Sequence, residues 1–378
     1  MSATAARPAN VAIYCPLWHN YDHASSWKGE GWCEWELLKS ATPRFPGHYQ
    51  PLKPVWGCFD EGDPAWAARE IDLAADHGLD VFLFDWYWYS GVKLMEEALE
   101  RGFLAAPNNG RLKFALMWAN HDWADYFPAP FGKPWNQWLP CRHSVADLRR
   151  LISYCAENYF RRPNYWQVGG RLFFSLFQPG LLVDRLGGPA ATRAVFEDLD
   201  RELGKTGLPP IHWNAMLWSP EPVARLKEAG FHSTTSYNVI SSGKSGPGLL
   251  DRYEDVIAKH REQWAAMSRA ALPYQPIVTM GWDVTPRCEK QVPWPFPPAP
   301  GSGRHEYPYI SVVLGNTPER FAELCARAAA HAAEPERRSF AIFINAWNEW
   351  TEGSYLLPEE RTGTAYLEAV RSVLGRRV

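Results

Sequence analysis

The stretch Phe343-Ile344-Asn345-Ala346-Trp347-Asn348-Glu349-Trp350-Thr351-Glu352-Gly353 decides how this 378-residue chain reads. Its start, with Ala341 and Ile342 ahead of it, is apolar at successive positions, the pattern of a strand buried in a parallel sheet. Such a strand has no packing reason to run into two carboxylates, because an unpaired acid beside a core costs free energy. Glu349 and Glu352, walled by Trp347 and Trp350, are instead a pair suited to general acid and base work on a sugar. The competing reading, two solvated loop acids, fits poorly with the flanking indoles.

Outward from this stretch the chain alternates. Apolar, β-rich runs at 11–16, 81–86, 113–118, 172–177, 211–216, 233–238, 276–281 and 339–345 are separated by helix-like stretches. The latter span 64–77, 93–105, 145–160, 190–205, 222–229, 250–270, 318–332 and 365–374. Eight strand–helix units predict a parallel sheet with helical crossovers that closes into a single (β/α)8 TIM barrel. Asp63-Pro64 and Thr317-Pro318 place a capping residue before a proline, and Gly78 follows a helix end. An open, doubly wound sheet is the alternative, but no Gly-x-Gly-x-x-Gly follows the first strand. The domain reading is a tail over 1–10 and one catalytic domain over 11–378. Long insertions at 17–62, after strand 1, and 289–314, after strand 7, fall on the face where barrels keep their sites.

If strand ends share one face, they bring together carboxylates, imidazoles, amides and indoles. The candidate substrate contacts are His19, Asp85, Trp86, Trp88, Trp118, Asn120, His121, Tyr237, Trp282, Asp283, Asn348 and Trp350, with Glu349 and Glu352 as catalytic residues. Each has a plainer reading: Asp85 as a cap or ion pair, Trp118 as core, Asp283 as a structural pair with Arg287. His19, Asp22 and His23 are ligand types at loop spacing with no third partner fixed, and no metal or other cofactor is expected.

Bulk properties narrow the class. A net charge of −3 gives no basic surface for nucleic acid, and no run approaches the about 18 apolar residues of a membrane span. The first ten residues lack the apolar core of a secretory signal, so the expected location is the cytoplasm, or the periplasm or exterior if a leader has been removed. Seven scattered cysteines without a Cys-x-x-Cys read as small buried hydrophobes. The aromatic content (20 Trp, 16 Tyr and 18 Phe) fits either an unusually aromatic core or a cleft whose rings pack against pyranose C–H faces.

Asn348-Glu349-Trp350-Thr351-Glu352-Gly353 resembles the Asn-Glu-Trp-His-Glu-Gly segment of glycoside hydrolase family 99, the endo-α-mannosidases, and more closely the WbsX-type, family-99-like proteins of bacterial polysaccharide clusters. The second resemblance also rests on Gly29-Glu30-Gly31-Trp32-Cys33-Glu34-Trp35, Gly47-His48-Tyr49-Gln50-Pro51, Trp118-Ala119-Asn120, Gly281-Trp282-Asp283, Asn316-Thr317-Pro318 and Ala365-Tyr366-Leu367-Glu368. It implies a (β/α)8 barrel and a metal-independent retaining glycosidase acting on a poly- or oligosaccharide. It further implies Glu349 as the base for a sugar 2-hydroxyl, a 1,2-anhydro sugar intermediate, and Glu352 as acid and then base for water. Thr351 departs from the family 99 histidine, and Asp85-Trp86 from a Tyr-His expected in WbsX-type relatives. A glycosyltransferase of surface polysaccharide synthesis, or a non-catalytic carbohydrate-binding barrel, are the alternatives. The oligomeric state is not legible.

Overall fold

The computed structural model describes residues 7–240 and 248–375. Its centre is a parallel sheet of eight strands: β1 Ala9–Tyr14, β2 Val81–Tyr89, β3 Lys113–Trp118, β4 Arg171–Leu176, β5 Ile211–Met216, β6 Ser233–Thr235, β7 Ile277–Thr279 and β8 Ala341–Asn345. The order is β6-β5-β4-β3-β2-β1-β8-β7, with β1 paired on one side to β2 (Val11 opposite Val81) and on the other to β8 (Ala9 opposite Ala341). Closure comes just ahead of β7, where Thr234 N donates to Pro273 O at 2.9 Å and Gln275 N to Thr234 O at 2.8 Å. The result is a nearly closed (β/α)8 barrel, as expected from the alternation.

Helices α1 Pro64–Asp76, α2 Val145–Cys155, α3 Pro189–Lys205, α4 Val223–Glu228, α5 Tyr253–Met267, α6 Pro318–Ala333 and α7 Ala365–Leu374 form the outer ring. The caps read from sequence are made: Asp63 accepts from Ala65 N at 2.8 Å, and Thr317 from Arg320 N at 3.4 Å. One expected helix is absent. The segment 93–105 begins as a short strand, Val92–Leu94, which folds back on β2 across Ser90 and Gly91. Both turn residues have positive φ (53° and 104°), the twist a two-residue hairpin needs. A π-turn, Ala98–Gly102, and a 3-10 turn, Phe103–Ala105, complete that crossover. The stretch 250–270 is likewise divided, since Leu250–Arg252 pairs with Val312–Leu314 before α5 starts. β1 opens at Ala9, two residues ahead of the expected domain start.

Side chains alternate along each strand. On β2, Asp85 and Tyr87 point into the barrel mouth, whereas Phe82 and Trp86 face outward and meet Phe103 and Tyr159 at ring-centroid distances of 6.1 and 6.0 Å. Trp213 of β5 likewise stacks on Phe196 of α3 at 3.9 Å. Many of the indoles are therefore core between strands and helices. No helix among the described residues is long and apolar enough to cross a membrane.

Candidate active site

The motif after β8 is a tight hairpin. Asn348 and Glu349 pair antiparallel with Tyr355 and Ser354, and a 3-10 turn, Trp350–Glu352, joins the two short strands. Gly353 makes this possible: its φ is +67°, and a Cβ there would lie 2.8 Å from Asp283 N. The close approach lets Asp283 N donate to Glu352 O at 2.7 Å, docking the end of β7 on the motif. Asn348 fixes the other side, accepting from Cys15 N at 2.8 Å and donating to Cys15 O at 2.9 Å. Both glutamates thereby line a cavity of about 420 Å³ at the mouth of the barrel, with exposures of 3% for Glu349 and 5% for Glu352.

Charge in this cavity is dense and organised around Arg287. Its Nη1 donates to Glu352 Oε1 and, at 2.6 Å, to the Tyr307 hydroxyl, and lies 3.8 Å from Glu349 Oε1. Its Nε donates to Thr351 Oγ1 at 2.9 Å and its Nη2 to Glu34 Oε2 at 3.2 Å, while Thr351 Oγ1 donates to the same Glu34 oxygen at 2.6 Å. The guanidinium also covers the face of Phe127 at 4.2 Å. Burial opposes the charge on Arg287, but the surrounding acids outweigh it and keep the cation.

The carboxyls respond in the opposite sense. Burial, the like charge of Glu352 and the nearby Asp85 push Glu349 well above the usual carboxylate range, against the pull of Arg287. Burial also raises Glu352, with Arg287 and the Tyr307 hydroxyl, which donates to Oε1 at 2.7 Å, pulling it back. Glu352 Oε2 has no hydrogen-bond partner. Across the cavity the Tyr237 hydroxyl lies 2.8 Å from Asp85 Oδ2 and 3.0 Å from Glu349 Oε2. Asp85, raised well above its ordinary value by burial, keeps Oδ1 unpartnered.

Of the residues read from sequence, the cavity gathers Asp85, His121, Tyr237, Trp282, Glu349 and Glu352. Burial lowers the His121 imidazole below its ordinary value. The others lie behind the wall. Trp86 and Trp88 stack on each other at 5.7 Å on the outer face of β2, and Trp118 packs against His143 at 5.4 Å. Asn120 bridges to the chain after β4, donating to Gln178 O at 2.9 Å and accepting from Gln178 N at 2.6 Å. Trp350 stacks on Tyr355 at 4.2 Å, and Asn348 is the brace described above. Trp86, Trp88 and Trp118 point away because β-strand alternation gives every second position to the outer layer, whereas Asn120 and Trp350 lie outside the strands.

Asp283 also serves the frame. It accepts from Gln50 at 2.6 Å and Thr285 Oγ1 at 2.7 Å and lies 2.8 Å from His48 Nε2; there is no pair with Arg287. Burial alone would raise it, but those donors bring its carboxyl below the usual range. His19 sits between Glu61 at 2.8 Å and Glu97 at 3.1 Å; burial would lower it, yet the two acids lift it to about 9. The side chain of Asp22 lies outside the described residues, and His23 stacks on Trp27 at 5.4 Å. Among the described residues no three His, Cys, Asp or Glu side chains are grouped to hold a metal.

The sequence reading missed Arg287 as the centre of the site, together with Glu34 and Tyr307. Tyr307 and Glu34 fall in the two long insertions, and Glu34 also in a segment that carries the resemblance, while Arg287 lies just ahead of the second insertion and reads from sequence only as a partner for Asp283. The aromatic lining also includes Trp123, Tyr126, Phe127, Trp135, Phe177 and Trp218.

Comparison with known proteins agrees with the fold. The GH99 endo-α-mannosidase from Bacteroides thetaiotaomicron superposes with a TM-score of 0.59 at 14% identity, covering 97% of this chain and 96% of that one. A solved glycoside hydrolase-like protein gives 0.63 at 14%, over 99% and 96%. The uncharacterized protein WxcX of Xanthomonas campestris pv. campestris is 30% identical over 97% of this chain, which spans about half (49%) of that relative's length. A family model described as glycosyltransferase WbsX matches residues 10–370, and the chain belongs to that family.

Proposed function

We propose that this barrel is a retaining glycoside hydrolase acting on a polysaccharide or oligosaccharide, including α-mannoside-like sugars, without a metal. The observation that carries the reading is the pair Glu349 and Glu352 in one aromatic-walled cavity, with Glu352 Oε2 free. That oxygen is where a carboxyl proton can sit, because Oε1 is occupied by the donors Arg287 and Tyr307. In the proposed reaction Glu349 takes the proton of the sugar 2-hydroxyl, whose oxygen bonds to C1. The C1–O bond to the leaving group breaks, and that oxygen takes the proton from Glu352 Oε2. Water, deprotonated by Glu352, then opens the 1,2-anhydro ring and the proton on Glu349 returns to O2.

Support for a carbohydrate substrate comes from the structural relatives, which suggest a carbohydrate-active enzyme, and from the aromatic walls. A polar cavity of about 680 Å³ shares His121 and Gln178 with the first, room for sugar units beyond the one cleaved. The family's description as a glycosyltransferase supports transfer as the second reading. Against it, Arg287 is the only cation lining the motif cavity among the described residues and is already committed to three acids, which leaves it little for a diphosphate donor there. A screen of defined polysaccharides with NMR analysis of the products tests the proposal. Release of a reducing sugar with retained anomeric configuration is expected. Transfer from a nucleotide- or lipid-linked sugar without hydrolysis would overturn it.

A further inference from the structure

The Tyr237 hydroxyl carries one hydrogen but lies within hydrogen-bond distance of two carboxyl groups, 2.8 Å from Asp85 Oδ2 and 3.0 Å from Glu349 Oε2. All three groups are buried, with exposures of 4%, 7% and 3% for Asp85, Tyr237 and Glu349. A phenol can donate to only one acceptor, so both contacts are hydrogen bonds only when the other carboxyl holds a proton and donates to the phenol oxygen. Two arrangements satisfy this: a protonated Asp85 with an ionised Glu349, or the reverse. They differ by a concerted move of two protons through Tyr237, with no change in net charge.

We infer that Asp85, acting through Tyr237, is a positioning residue that takes the shared proton away from Glu349 and so sets Glu349 as the ionised base. The inference rests on the reading of Glu349 as a base. In the relay the Glu349 proton passes to the Tyr237 oxygen while the Tyr237 proton passes to Asp85 Oδ2. When substrate binds, Glu349 then takes the 2-hydroxyl proton, and both carboxyls end neutral with the phenol between them. Without the relay, burial would favour the neutral form of Glu349 and oppose its work as a base.

Other titratable groups face the pair from each neighbouring element: Cys15 after β1, Tyr87 on β2, Glu352 in the motif hairpin, and Arg287 and Tyr307 after β7. Arg287 is the sole cation among them; it favours ionisation of both carboxyls and lies nearer Glu349, 3.8 Å from Oε1. Asn345 Nδ2 also donates to Glu349 Oε2, at 3.3 Å, so charge is favoured on Glu349 and the proton on Asp85, with the phenol between them as the path.

The test is a titration of the intact protein with its Asp and Glu side-chain carboxyls labelled with ¹³C, read by NMR, with Glu349→Gln and Asp85→Asn assigning the two resonances. In Asp85→Asn the amide donates to the phenol and the phenol to Glu349, so the Glu349 midpoint falls by about one unit. In Tyr237→Phe the donor is lost and the midpoint rises. Shifts of opposite sign support the relay; an unmoved midpoint, or two shifts of the same sign, overturns it. Should a variant fail to fold, the wild type decides: coupled two-step titration of both resonances supports the relay, and independent single steps overturn it. The NMR needs no substrate, so a protein that hydrolyses nothing would sink the function reading while leaving the relay tested. With a cleavable substrate, the acidic limb of kcat/KM moves down in Asp85→Asn and up in Tyr237→Phe. A residue that only contacts sugar would raise KM and leave that limb in place.

Discussion

Arg287 is the residue on which the two glutamates depend. It holds Glu34, Glu352 and, at 3.8 Å, Glu349 around one buried guanidinium, with Thr351 closing the ring through its hydroxyl. Replacing it leaves buried acids without a counter-charge. Arg287→Gln is expected to cost about 3–5 kcal/mol of stability, measured by urea unfolding; a loss under about 1 kcal/mol would contradict the buried network. Sequence made Glu349 and Glu352 legible because two acids after an apolar run are anomalous. Arg287 was not, because an arginine four residues from Asp283 reads equally well as a local ion pair. Thr351, legible only as a departure from a family histidine, proves to be a bridge between Glu34 and Arg287.

At the scale of elements, alternation along the strands separates wall from core. The strand ends were legible, and their indoles were read as one set, but β2 sends Asp85 and Tyr87 to the cavity and Trp86 and Trp88 to the outer layer. A run as uniformly aromatic as Trp86-Tyr87-Trp88-Tyr89 carries no polarity contrast to reveal which face is which. The distinction is measurable. Trp118, fully buried on the outer face of β3, should cost about 3–5 kcal/mol as Trp118→Ala in urea unfolding. Trp218, 45% exposed on the cavity rim, should leave stability unchanged as Trp218→Ala and raise KM roughly threefold to tenfold on an oligosaccharide. The reverse assignment of effects would show that the walls are misread. The hairpin after β2 was missed for a similar reason: 93–105 has helical spacing, and only Ser90-Gly91 signalled the turn that diverts its start.

The whole barrel is held behind the motif by a second polar cluster. Glu70 of α1 accepts from the Trp347 indole at 2.8 Å and lies 3.0 Å from the Tyr14 hydroxyl, and burial raises its carboxyl from 4.5 to about 8. A folded-state value above the unfolded one means this group favours folding below pH 4.5 and loses that contribution as pH rises to about 8. Glu70→Gln should therefore gain stability relative to the wild type between these values and hold the gain above them, by urea unfolding across pH; a flat difference would contradict a neutral buried acid. Architecture was the most legible level, since eight alternating units leave few topologies, whereas the irregular second crossover was not. We propose that Glu349 and Glu352 cleave a glycosidic bond in the barrel mouth. The most direct test is product-resolved NMR of one cleavable oligosaccharide with the wild type, Glu349→Gln and Glu352→Gln. A retained anomer is expected from the wild type, with turnover lower by about 10²–10⁴ in each variant and ligand binding preserved; near-wild-type turnover in both variants would rule out these roles for the two glutamates.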